Sequence, residues 1–422
     1  MPFELPVPSF SHLDAVDLRT AGRELLSLAL MDARNQTLHL CAVYEAALSD
    51  PALRVACTPE LEWPLWVLGH IGWFQERWVG RNLQRHQGPH CDPHAAPLAS
   101  VLAQADLWWD GRQIAPADRW AQALPALADI KSYLLSTLEA ALDLLAKTPD
   151  EDDALYFYRL ALFHEDRWGE TLITMAQTLG LPLTLSLPST GVAREPLWVP
   201  ATRWRLGLDR GQGFTWDHER PAHDVQVPDF EIDAQPVSWA QYLEFVADGG
   251  YDRAEFWQPA GWDWLQALVL REGRRAPRHV EQLGVARAGG QGSVLQTLFG
   301  RTQRRAGQQP ALHVSWWEAD AWCRWAGRRL PTEVEWELAA HTTARRGWRW
   351  GEVWEWTAST LFAYPGFVAD PGQTDASAGF GSHKVLRGAS FATRARLRSL
   401  KYRHSSLPGR DDGFFGFRSC AL

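Results

Sequence analysis

The stretch FHEDRWGETL, residues 163–172, sets one imidazole among three carboxylates. A second histidine four residues after His164 would complete a pair of metal ligands on one helix face. Position 168 is a tryptophan instead, and an indole nitrogen only donates hydrogen bonds. Glu165, Asp166 and Glu170 could accept from imidazole N–H groups and so fix a ligand's orientation. They could equally be a solvated helix face. His70 lies in LGHIGWF, within an apolar run, as His164 does in LALFHED. A lone buried histidine is more often a satisfied core side chain than a ligand. Two of them, mid-helix on separate helices, are the start of an inward-facing metal site in a helix bundle. Spacing alone does not complete that site.

The elements that must carry these side chains are legible in the periodicity. Segments 17–48, 63–83, 126–146 and 152–180 place apolar residues three or four apart, which predicts four amphipathic helices and a four-helix bundle. Gly180, followed by Leu181 and Pro182, is a stop signal for the last of them. A linker is expected near 181–200, where glycine, proline and tryptophan rise and apolar runs shorten. HDVQVPDFEID (223–233) alternates like a half-buried strand. SWWEADAWCRWAGRRLPTEVEWELAA (315–340) predicts two helices separated at Gly327 and Leu330–Pro331. The fold class expected is a helical bundle followed by a loop-rich α+β domain.

Composition narrows the function. A chain of 422 residues favours two or three domains. The net charge of −8 offers no basic footprint for nucleic acid, and REGRRAPR (271–278) has the texture of a solvated loop. Twenty-four tryptophans imply aromatic surfaces in both core and clefts. The five cysteines are scattered, without a CxxC pair, which argues against a disulfide framework or structural zinc and for a reducing compartment. MPFELPVPSF lacks the basic and apolar regions of a signal peptide. No apolar run reaches the roughly 18 residues a membrane span needs. A cytoplasmic protein, with no membrane partner, is therefore expected. Oligomeric state is not legible.

LGHIGWFQERW together with FHEDRWGETL resembles the DinB-like bundle of the ergothioneine sulfoxide synthases, the EgtB family. FTWDHERPAHDVQV, PVSWAQYLEFVADGGY, HVSWWEADAWCRWAGRRLPTEVEWELAA, GEVWEWTAS, VLRGASFATRARL and GFFGFRSCAL follow in that family's order. They resemble its C-terminal domain, which has the formylglycine-generating-enzyme fold. The resemblance implies a DinB-like domain over 1–182 and a formylglycine-generating-enzyme-like domain over 183–422. It also implies a mononuclear non-haem Fe(II) cofactor, with O2 and N-α-trimethylhistidine (hercynine) as substrates. His70 matches the first metal ligand and His164 the second. Trp168 stands at the third, leaving water or a substitute such as His39 to complete the set. Formylglycine chemistry itself is not expected, because Cys323 and Cys420 lie outside the motif that supports it.

In this family the C-terminal loop orients the substrates, and here it reads KYRHSSLPGRDDGFFGFR, 401–418. The resemblance assigns substrate contacts to Arg403, His404, Ser405, Ser406 and Arg410. Ser406 replaces an aspartate that pairs with the amino group of the sulfur donor, and Arg410 matches the arginine for the donor carboxylate. A hydroxyl both donates and accepts but carries no charge, which suits a neutral polyol. Within the family the loop is most similar to the selenoneine synthase branch, which joins hercynine to a 1-selenosugar. The alternatives are a sulfoxide synthase using cysteine or γ-glutamylcysteine, and a metal-free binding protein of the same fold. Segment 365–388 has no tyrosine where the family has a proton-donating one. Trp354 and Trp356 are candidates for cation–π contact with the trimethylammonium group, and Arg112 or Arg119 for a donor-side contact.

Overall fold

A computed structural model describes residues 17–188, 192–211, 213–284, 293–373 and 375–422. Four long helices form the first part: α1 (Arg23–Ala47), α2 (Pro64–Gln75), α3 (Leu127–Leu145) and α4 (Asp152–Thr178). Helix α1 packs on α3 and α4, and α2 packs on the same two, so the four apolar stripes close one core. Helix α2 starts with proline at its first position and buries all its residues. It runs into a π-helical turn, Glu76–Gly80, where one continuous helix to residue 83 was expected. Helix α4 has Asp152 and Asp153 in its first turn, where the helix dipole favours negative charge. Gly180 adopts a left-handed φ of 66°, and the Leu181 N–H returns to the Ala176 carbonyl at 2.8 Å, the closing bond of a Schellman stop.

The second part is built of short strands around two four-stranded sheets. One sheet contains β1 (Leu197–Val199), β2 (Phe230–Ile232), β3 (Arg328–Arg329) and, at the end of the chain, β8 (Cys420–Ala421), in the order β1-β2-β8-β3. The other contains β4 (Trp354–Thr360), β5 (Lys384–Gly388), β6 (His404–Ser406) and β7 (Phe415–Phe417), in the order β6-β5-β4-β7. The expected single strand over 223–233 is two. Residues His223–Val227 pair with Thr202–Leu206, while β2 enters the first sheet. Pro228 lies between them, and a residue without an N–H cannot continue a ladder.

The predicted helix pair is present as Trp316–Trp325 and Glu333–Thr342. Ser315 and Thr332 each cap the helix that follows with a reciprocal glutamate three residues on. One continuous apolar core runs from Leu18 in the bundle to Phe417 in β7. Trp63, Trp66, Trp109, Trp239, Trp336 and Trp356 are fully buried in the structure. Much of the unusual tryptophan content is therefore packing. Cys323 and Cys420 are buried and unpaired, and burial raises both thiol pKa values, as for inert core thiols. Among the described residues, no helix is long and apolar enough to cross a membrane.

Candidate active site

Two glycines let partners press closely against α2 beside His70. A Cβ on Gly69 would lie 2.1 Å from the Trp109 ring, and one on Gly72 would lie 3.1 Å from Tyr133. Because Trp109 seats so closely, its carbonyl oxygen lies 2.8 Å from His70 Nδ1. That bond puts the proton on Nδ1 and makes Nε2 the basic nitrogen. Trp66 stacks on the His70 ring at 4.6 Å. From α4, His164 stacks on Phe74 at 3.6 Å. The two imidazole centres are 5.1 Å apart. Two imidazoles sharing one ion through bonds of about 2.1 Å have centres about 5 Å apart. Burial first, then the charges of His70 and Arg167, hold the His164 pKa well below its usual value. It is neutral, the form a metal requires.

Trp168 stands one helical turn after His164 on α4. Its indole N–H donates to His164 Nε2 at 3.0 Å, and its ring meets His70 edge-on at 5.3 Å. Among the described residues, no group of three or more His, Cys, Asp or Glu side chains gathers as a metal cage. His39 is half-buried on α1 and joins no such group. The pair offers two imidazole nitrogens to the same space, the lone pair of one engaged by the indole.

The carboxylates of the same motif do not orient the imidazoles. Asp166 takes a bidentate ion pair from Arg396 at 2.6 and 2.7 Å, and Arg396 reaches Asp32 on α1 as well. Arg394 also bonds Asp32. Glu170 accepts from Trp354 Nε1, Ser390 Oγ and Thr393 Oγ1 at 2.7–2.8 Å. Glu165 holds Arg34 and Thr37 inside the bundle. Residues 390–398 of the second part are thus riveted to α1 and α4. That acceptor role was missed in the sequence; the signal was SFATRARLR (390–398), a basic run opposite an acidic helix face.

The docking leaves a two-lobed cleft between bundle and sheet. One lobe, of about 400 Å³, reaches Trp168, Trp354 and Arg410. The other, of about 230 Å³, reaches Trp216, His218 and His383. His164, Arg167, Tyr402, His404 and Ser405 line both. Ser406 lines the larger lobe. His404 lies tilted against Trp354 at 4.8 Å; burial, then the charge of Arg167, pushes its pKa down to about 3. Ser405 Oγ lies 3.3 Å from His383 Nδ1. His383 comes from the segment where the expected tyrosine is missing. Tyr402 is the phenol that lines both lobes, and burial raises its pKa.

Several expected contacts are otherwise engaged. Arg403 is buried and braced by Glu333 at 2.8 and 3.0 Å. Arg410 grips Asp412 through two bonds of 2.5 and 2.7 Å. Arg119 reaches the larger lobe but pairs with Glu62 and lies 3.9 Å over the Trp66 ring. Arg112 pairs with Asp110, and Trp356 is a core side chain bonded to the Val314 carbonyl.

Residues 188–352 match the sulfatase-modifying factor enzyme 1-like domain. The hercynine oxygenase of Mycolicibacterium smegmatis is 30% identical, over 94% of this chain and 98% of its own length. That of Mycobacterium tuberculosis is 31% identical, with the same 94% and 98% coverage. The chain belongs to the hercynine oxygenase family. It is an enzyme of the non-haem iron oxygenase type that the motifs resemble. The formylglycine-generating enzyme of Streptomyces coelicolor is 28% identical over 57% of the chain and 96% of its own length, so that likeness is confined to about half of this chain.

Proposed function

We propose that this enzyme oxidatively joins imidazole C2 of hercynine to the chalcogen of a neutral donor, for which a 1-selenosugar is the best fit. The overall balance is R–SeH plus imidazole C2–H plus O2, giving the selenoxide R–Se(=O)–C2 and water. The C2–H and Se–H bonds break; one oxygen atom enters the product and the other leaves as water. His70 and His164, facing each other from the DinB-like bundle, would hold Fe(II), which when bound supplies the redox chemistry that couples O2 to bond formation. Two lobes, both lined by His164, support a reading in which each takes one substrate, so that orientation replaces a chance encounter.

The observation that carries the selenosugar reading is the Arg410–Asp412 pair. The arginine that would take a donor's carboxylate is already neutralised by Asp412, and Ser405 and Ser406 line the cleft. An uncharged polyol meets such a wall without stranding an ion. Mass spectrometry of hercynine incubated with protein, Fe(II), O2 and a mixture of selenosugar, cysteine and γ-glutamylcysteine tests this. A selenium-containing adduct should dominate. A dominant cysteine adduct replaces the donor assignment with the sulfur one; binding of hercynine without any adduct overturns the catalytic reading.

A further inference from the structure

We infer that one oxygen of Glu170, Oε2, accepts the hydroxyls of the donor substrate and so gives the larger lobe its preference for a polyol. The inference rests on the function proposed above and names a specificity residue within it. Glu170 lies on α4 and takes three hydrogen bonds, from Trp354 Nε1, Ser390 Oγ and Thr393 Oγ1. All three end on Oε1, at 2.7–2.8 Å. Among the described residues, none donates to Oε2. Fastening the second part of the chain to α4 therefore uses half of this carboxylate and leaves the other half unused.

Glu170 lines the larger lobe together with Ser405, Ser406 and Trp354. Burial, the largest influence on it, raises its pKa, while its three bonded neighbours lower it. A desolvated oxygen without a partner costs free energy that a ligand's hydroxyl removes. An ionised carboxylate only accepts, and a hydroxyl donating to it makes a charge-assisted bond. The bond from Trp354 to Oε1 also holds the indole at a fixed separation from Oε2. A pyranose has an apolar C–H face and a hydroxyl-bearing edge, and an indole locked to a carboxylate acceptor matches both.

Glu170→Gln tests this, because the amide oxygen can keep the three docking bonds while the amide nitrogen in the other position only donates. Titration calorimetry of the protein loaded with Fe(II) and hercynine, without O2, compares 1-thioglucose with tetrahydropyran-2-thiol, which keeps the ring and the thiol and lacks every hydroxyl. Glu170→Gln should weaken 1-thioglucose about tenfold, the scale of one charge-assisted hydrogen bond, and leave tetrahydropyran-2-thiol unchanged. That unchanged affinity also shows that the variant is folded and docked. If the variant binds 1-thioglucose as tightly as wild type does, or if both thiols weaken together, Oε2 reads no hydroxyl and the inference is overturned while the function stands. Failure of the wild-type protein to bind 1-thioglucose overturns the polyol-donor reading and the acceptor with it.

Discussion

Trp168 makes a quantitative claim on metal affinity. Its N–H donates to His164 Nε2 at 3.0 Å, and that nitrogen's lone pair cannot serve an ion at the same time. A buried neutral hydrogen bond contributes about 1 kcal/mol net. Any ion taking that nitrogen must first break it, which weakens binding about fivefold, since about 1.36 kcal/mol is a factor of ten. Trp168→Phe keeps an aromatic ring packed between Trp66 and His70, which lie 6.1 and 5.3 Å from the indole, and removes the donor. Its Fe(II) or Co(II) dissociation constant should fall about fivefold, measured anaerobically by competition with a chromophoric chelator. Trp168→His adds a third nitrogen and should tighten binding further, with a Co(II) visible spectrum distinct from both. His70→Ala and His164→Ala should lose the ion altogether. If Trp168→Phe binds Co(II) no better than wild type while Trp168→Ala does, ring bulk and not the hydrogen bond limits access, and the reasoning fails.

Three further outcomes follow from groups around the cleft. Asp412→Asn releases the charge of Arg410 and should raise the ratio of kcat/KM for cysteine to that for the selenosugar, by about tenfold on the scale of a charge-assisted bond; an unchanged ratio in competition assays would remove Arg410 from donor selection. His404 stays neutral down to about pH 3, from a usual 6.5, so between those values the unfolded chain binds the extra proton and stability falls as pH drops. The wild type should therefore lose up to about 1.4 kcal/mol more per pH unit than His404→Asn in denaturant titrations; equal slopes would contradict this. Arg396→Met strands Asp166 without its buried partner, while Asp32 keeps Arg394, and should cost about 3–5 kcal/mol, seen as a lowered denaturation midpoint with α-helical signal lost in step.

The bundle was the most legible part of the fold because a helix core imposes its period on every turn. The segment at 152–180 was predicted to within two residues, and Gly180 ends it as expected. The strand at 223–233 was misread because alternation continues across Pro228 while the ladder does not. At the site, His70 and His164 could be singled out as mid-helix imidazoles in apolar runs. Their convergence could not, since it depends on Gly69 admitting Trp109 and on which face of α4 meets α2. The role of Glu165, Asp166 and Glu170 was hidden for the same reason: their partners lie on α1 and in residues 390–398, far away in the chain.

The motif HEDRWGE thus serves two faces of one helix. His164, Arg167 and Trp168 turn toward the cleft, whereas Asp166 and Glu170 fasten the second part of the chain to the first. Glu170 is common to both, since it also lines the larger lobe, whereas Trp168 makes none of the docking bonds. Replacing the imidazole at 168 by an indole alters what an ion finds there and leaves every docking bond to Arg396, Trp354, Ser390 and Thr393 in place. The docking therefore holds whatever stands at 168. The docking bonds predict that Trp168→His, unlike Arg396→Met, will alter metal binding without shifting the unfolding midpoint of the metal-free protein by more than the roughly 1 kcal/mol of the one bond it removes.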